Sequence, residues 1–167
     1  MKRNKVVVIG GGAAGMMAAI SAAGNGADVT LIERNEKLGK KIYITGKGRC
    51  NVTNNCDEDE FFNNIVSNPR FMYGAFYSFD NRSLMELFEK NGLKLKVERG
   101  GRVFPESDHS YDVTDTLRAI MKRKGVKVVY ILHEPLSPMS DYRAAGFSYK
   151  YLAKLWVIDR ISQLTVK

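Results

Sequence analysis

The sequence predicts an α/β protein built on a doubly wound parallel sheet, and three observations carry that prediction. Val6, Val7, Val8 and Ile9 form a continuous apolar, β-branched run, the pattern of a parallel strand covered on both faces. Gly10-Gly11-Gly12-Ala13-Ala14-Gly15 follows at once and matches G-x-G-x-x-G. A second apolar run at residues 29–32 ends in Glu33, close to the spacing of about 20 residues at which an acid belongs in such a unit. Gly10 permits the tight turn, Gly12 lets a pyrophosphate approach the backbone, and Gly15 lets helix and strand pack closely. The helix starting near Ala13 turns its free N–H groups, those of Ala13, Ala14 and Gly15, toward the phosphates. Gly24-Asn25-Gly26 stops it. The Glu33 carboxylate is placed to accept hydrogen bonds from the two ribose hydroxyls of an adenosine. A lone G-x-G-x-x-G is a weak signal; strand, helix, second strand and acid in order make a dinucleotide-binding βαβ unit.

The remaining elements follow in order. After a loop at 34–41 and an apolar triplet, Ile42-Tyr43-Ile44, residues 45–54 read TGKGRCNVTN. That segment is too rich in glycine and small polar residues to bury much, so it is a loop dense in hydrogen-bond donors. Asp57 to Glu60 suit the first turn of a helix leading into Phe61, Phe62 and Ile65, and Asn68-Pro69 breaks it. Phe71, Tyr73, Phe76, Tyr77 and Phe79 read as core or interdomain packing rather than a substrate cage. Asp80 or Asn81 caps a helix with Leu84, Leu87 and Phe88 on one face, ended by Asn91-Gly92. Residues 93–98 alternate as a half-exposed strand, and Gly100-Gly101 turns it into Arg102-Val103-Phe104, closed by Pro105. Ser110 or Asp112 opens a helix with Val113, Leu117, Ile120 and Met121 inward; Gly125 ends it, and 126–131 is a buried-type strand. The result is a Rossmann-like domain over residues 1–131 with a helical and hairpin insertion at about 55–105.

Composition narrows the class. At 167 residues the chain can bury one real core. It is 44% hydrophobic with no apolar run of membrane-spanning length, so a soluble protein with no membrane partner is expected. The basic N-terminus runs straight into residues 6–9, too short a run for a signal-peptide core. Cys50 and Cys56 form neither a zinc pattern nor a disulfide framework, so no metal site is assigned and a reducing cytoplasm is the default. Cys50 lacks a C-x-x-C partner and reads as a small packed residue. His109 and His133 receive no role. The net charge of +8 lies in short clusters, Lys40-Lys41, Lys47/Arg49 and Lys122-Arg123-Lys124. Such clusters read as a solvated face or a phosphorylated-ligand site, and no nucleic-acid partner is expected.

Five stretches, VVVIGGGAAGMMAA, Glu33, Gly39-Lys40-Lys41, TGKGRCNVTN and GRVFPESDHSYDVTDTL, carry a family resemblance over roughly residues 1–130. The chain resembles the BaiN-like, or aminoacetone-oxidase-like, NAD(P)/FAD-dependent oxidoreductases, and the middle motif is the diagnostic one. The resemblance implies that Gly10, Gly12, Ala13, Ala14, Gly15 and Glu33, with Arg34 beside it, hold the ADP half of FAD. It implies that Lys41, Gly48, Arg49, Cys50, Asn51 and Thr53 run along the flavin. A flavin needs donors at its ring nitrogens and carbonyls, and nearby positive charge favours its anionic reduced form. Arg49, Asn51, Thr53 and the backbone around Gly46 and Gly48 could supply both. On the residues alone, Asn51, Thr53 and Asn54 closing turns and capping the next helix is an equal reading.

The family is much longer than this chain, and the resemblance ends near Tyr130. Residues 131–138 read ILHEPLSP, and two prolines three apart oppose a strand. Residues 132–167 are therefore expected to be an atypical tail, with a helix at 148–164 around Leu152, Leu155, Trp156, Ile158 and Ile161. A truncated family member with a tail read in a shifted frame is expected; a short variant with a replaced C-terminus is the rival. Apolar surface left uncovered would favour self-association. The expected function is FAD-dependent electron transfer from NAD(P)H to a small organic acceptor, with no residue assigned as catalytic. The alternative is a nucleotide-binding module without chemistry of its own.

Overall fold

Branching at Cβ favours an extended backbone at residues 6–9, and strand β1 (Lys5–Ile9) forms there in the computed structural model, which describes residues 3–130. Helix α1 (Ala13–Gly24) and strand β2 (Asp28–Glu33) complete the first βαβ unit. A two-residue strand β3 (Thr53–Asn54), helices α2 (Glu58–Asn63), α3 (Tyr73–Ser78) and α4 (Asn81–Lys90), and a hairpin of β4 (Leu95–Glu98) and β5 (Arg102–Pro105) come next. Helix α5 (Ser110–Arg123) and strand β6 (Lys127–Tyr130) return the chain to the first sheet. The expected end of that strand at Ile131, and everything expected of residues 132–167, lies outside the described residues.

The first sheet is parallel, in the order β1-β2-β6. Val8 pairs with Leu31 and Leu31 with Val128, so these share one face; Ile9, Ile32 and Val129 share the other. Both crossovers step the same way along the sheet, so right-handed connections place α1 and α5 on one side. There Met16, Ala19 and Ile20 of α1 and Leu117, Ile120 and Met121 of α5 close over Val29 and Leu31 as one core. Each of the buried Met, Ile, Leu and Val side chains among them is worth about 1.5–3 kcal/mol. The fold is thus the Rossmann-type α/β architecture, and of the two windings of a doubly wound sheet the described residues hold one. β1 departs from the expected burial on both faces: it lies at the sheet edge among the described residues, with Val7 40% and Ile9 61% exposed.

The second sheet is antiparallel, in the order β3-β5-β4. The donor-rich segment is more structured than a plain loop, because its end pairs with the hairpin, Thr53 with Val103 and Asn54 with Arg102. Asp57 caps α2 by accepting from Glu60 N–H at 2.8 Å. Phe61, Phe62, Tyr73, Phe76 and Tyr77 pack on one another, mostly edge to face, Phe76 being buried and Tyr77 exposed. Asp80 is the cap of α4, its carboxylate accepting from Ser83 N–H at 2.7 Å. Asn81 is buried and donates instead to the carbonyls of Asn54 (2.7 Å) and Cys56 (2.9 Å), tying α4 to the donor-rich segment.

Candidate functional site

The glycine turn between β1 and α1 owes its shape to backbone contact. Gly10 has φ 98° and donates to the Ile32 carbonyl at 2.8 Å, a conformation that side chains resist. A Cβ on Gly15 would lie 1.8 Å from the Gly10 carbonyl oxygen, so helix and turn touch only because Gly15 has none. Gly12 differs: nothing lies within 4 Å of where its Cβ would point. The first helical bond is Met16 N–H to the Gly12 carbonyl at 2.9 Å. The N–H groups of Ala13, Ala14 and Gly15 therefore precede the helical ladder. No side chain caps this end and no acid lies in its first turn. An open space facing unpaired N–H groups and the positive dipole end fits a pyrophosphate.

Glu33, at the end of β2, is 5% exposed. One carboxylate oxygen accepts from Gly11 N–H at 2.6 Å, and the other accepts from the backbone N–H (2.7 Å) and side-chain amide (2.5 Å) of Asn35. A carboxylate offers about four lone-pair sites, so the group is fixed in place with capacity left for a hydroxyl. The structure thus joins the fingerprint and Glu33 directly. The Arg34 side chain beside it is exposed. Sequence reasoning missed Asn35 and the central glycine; an Asn two positions after the acid, able to close an Asx turn, was the available signal. The loop from Arg34 returns to the turn through Gly39 N–H, which donates to the Gly11 carbonyl at 2.7 Å.

The donor-rich segment starts with 3-10 turns over Ile42–Gly48, interrupted at Thr45, Gly46 and Lys47. Lys41 precedes it with an exposed side chain. Gly46, Lys47, Gly48 and Cys50 all have left-handed backbones, with φ of 56°, 57°, 88° and 59°. The Arg49 guanidinium does not stand free: Nε donates to Asp108 at 2.7 Å, it pairs with Glu98, and it lies 4.3 Å from the centre of the Phe104 ring. Lys96 Nζ donates to the second oxygen of Asp108 at 2.6 Å. The hydrogen bond from Arg49 holds the Glu98 carboxyl below the usual carboxylate range. Lys96 first, then Arg49, do the same to Asp108. Cys50 is buried, and burial pushes its thiol pKa up. With its amide nitrogen turned toward them, Asn51 donates to the carbonyls of Thr53 (2.9 Å) and Val103 (3.1 Å). Gly48 is half-buried, and Thr53 sits in the β3–β5 pairing.

Among the described residues no three histidine, cysteine or acidic side chains converge on a metal position, and no helix is long and apolar enough to cross a membrane.

Comparison with known proteins adds three findings. The family model of the HI0933-like protein Rossmann domain matches residues 4–142. A 3-dehydro-bile acid delta(4,6)-reductase of Clostridium scindens is 37% identical over 127 residues, which cover 75% of this chain and 30% of that protein. A ribosomal RNA dihydrouridine synthase of Escherichia coli is 33% identical over 117 residues, 70% of this chain and 28% of its own length. The chain therefore spans less than a third of the length of these curated relatives. Among solved structures, Thermovibrio ammonificans THI4 superposes with a TM-score of 0.51 at 16% identity, covering 77% of this chain and 38% of that one; this likeness shows the fold alone.

Proposed function

Because the chain belongs to the HI0933-like family of FAD-dependent oxidoreductases, we propose that it supplies the ADP-binding half of a flavin site in a reductase acting on carbon–carbon double bonds. The observation that carries this reading is the open helix N-terminus beside a buried, prefixed Glu33. Bound FAD supplies a carrier that takes up two electrons and delivers them as hydride. The chain's own part is to bind and orient. The N–H groups of Ala13, Ala14 and Gly15, with the room above Gly12, meet the pyrophosphate. Glu33 accepts from a ribose hydroxyl, and residues 41–53 border the ring. The names of the two relatives describe one chemistry, a reductase and a maker of a dihydro base, each the addition of two hydrogens across a double bond. NAD(P)H is the proposed source of those electrons.

The test is to denature the purified protein and chromatograph what it releases. FAD is expected. NAD(H) without flavin would overturn the assignment. A nucleotide-binding module without chemistry of its own is the competing reading, and sustained NAD(P)H oxidation by the loaded chain would exclude it.

A second reading of the substrate has its own support. The name of the Escherichia coli relative places its action on ribosomal RNA, and residues 34–47 carry Arg34, Lys37, Lys40, Lys41 and Lys47 against Glu36 alone. An RNA substrate would use that charge as a sequence-independent phosphate contact. Binding to a ribosomal RNA fragment that weakens steeply with salt supports it; retention on RNA at no salt concentration removes it.

A further inference from the structure

We infer that Arg49 is a positioning residue, an anchor that locks residues 45–50 in shape, and not a cation presented to the flavin ring. The inference rests on the flavin reading only for what the segment is for; the anchoring is made by the chain's own side chains. Four of the five residues from Gly46 to Cys50 have left-handed backbones. For Lys47 and Cys50 that conformation is unfavourable, and it persists only where the surroundings over-determine it. The segment's own backbone bonds, Arg49 N–H to the Gly46 carbonyl and Cys50 N–H to the Thr45 carbonyl, are both 3.2 Å long. The tighter restraint is the Arg49 side chain.

A guanidinium has five N–H donors in one plane, and here the edge of that plane is taken by two carboxylates. Nε meets Asp108 at 2.7 Å, and the terminal nitrogens meet Glu98 and Asp108. One face lies over Phe104, itself buried against β4. Glu98 is fixed in β4, and Asp108, with φ 61°, stands just before α5 and is held a second time by Lys96. Arg49 therefore ties the segment to two elements 49 and 59 residues away. Arg49 and Lys96 balance Glu98 and Asp108, so the cluster offers the ring no net charge. Among the described residues Lys47 makes no ion pair, and it remains the segment's uncommitted cation.

The experiment is hydrogen–deuterium exchange on the flavin-free full chain. Residues 44–52 are compared in wild type, Arg49→Gln, Arg49→Lys, the double substitution Glu98→Gln/Asp108→Asn, and all three together. Exchange in α1 and β2 reports whether each variant has kept its fold. The expected result is exchange on the order of tenfold faster in the segment for Arg49→Gln and for the carboxylate pair alike, with no further gain when they are combined. Arg49→Lys should resemble Arg49→Gln, because an ammonium cannot bridge both carboxylates in one plane. Unchanged exchange in the carboxylate variant would overturn the proposal. So would FAD titrations in which Arg49→Gln weakens binding while Glu98→Gln/Asp108→Asn leaves it intact, the behaviour of a guanidinium that touches the ring. If wild type binds no flavin but the exchange pattern holds, the anchor stands and the flavin reading falls.

Discussion

The two turns that border the proposed nucleotide site reach unusual backbone shapes by opposite means. Residues 10–15 are shaped by subtraction: glycines remove the atoms that would collide, and the short contacts left are between backbone groups. Residues 45–50 are shaped by restraint: side chains sit where glycine would be easier, and a charge cluster on neighbouring elements holds them. The first device is steric and, apart from the hydrogen bond of Gly11 to Glu33, does not answer to pH or salt. The second is long-range and depends on partly exposed charges, so solution conditions reach it. A turn that must meet phosphates with fixed donors suits the first device, and one that must adapt its electrostatics suits the second.

The largest effect should come from putting atoms back into the first turn. Gly15→Ala sets a Cβ 1.8 Å from the Gly10 carbonyl oxygen, backbone that cannot swing aside, and should cost about 3 kcal/mol or more in urea unfolding. Gly12→Ala is the control, since its Cβ meets nothing within 4 Å: stability should stay within about 0.5 kcal/mol while FAD affinity drops. Equal destabilisation by both substitutions would mean that the glycines serve the fold alone.

A smaller effect is expected at Glu33, where the glycine turn does rely on a side chain. Glu33→Gln keeps the size but removes the charge that Gly11 and Asn35 donate to. Its cost in FAD binding should be about 1–3 kcal/mol. Titration of FAD into both proteins decides it, and equal dissociation constants would show that the ribose lies elsewhere.

The smallest effect separates the devices without mutation. Glu98 and Asp108 titrate below their ordinary range in the folded chain. Their stabilisation is therefore complete at pH values above that of an ordinary carboxyl and is lost as pH falls through the depressed values. The groups facing them are Arg49 and Lys96. Limited proteolysis at falling pH should open residues 45–50 before the glycine turn loosens. Simultaneous opening of both would break the contrast.

Legibility in the sequence follows the same divide. The βαβ unit, α4 with its stop, the hairpin and α5 could be read because each is encoded by neighbours: glycine spacing, alternation, helical periodicity. The cap at Asp80 was narrowed to two adjacent residues for the same reason. The partners of Arg49 could not be read, since nothing near it in the chain points to carboxylates on β4 and before α5. The same holds for the pairing of Thr53 with Val103, and for the exposed face of β1, which depends on strand order and not on the valines themselves. Asn35 sat between these cases, adjacent to Glu33 but informative only once Glu33 was known to be buried.

The hold of Gly11 and Asn35 on Glu33 bears finally on timing. The three donors that converge on that carboxylate all belong to the chain itself, so the entropy of fixing the turn is lost when the chain folds and not when the nucleotide arrives. Association at this half of the site should then run as a single encounter step, its observed rate rising linearly with FAD concentration and never levelling into a conformational plateau. Any slow phase in flavin uptake would belong to the other turn.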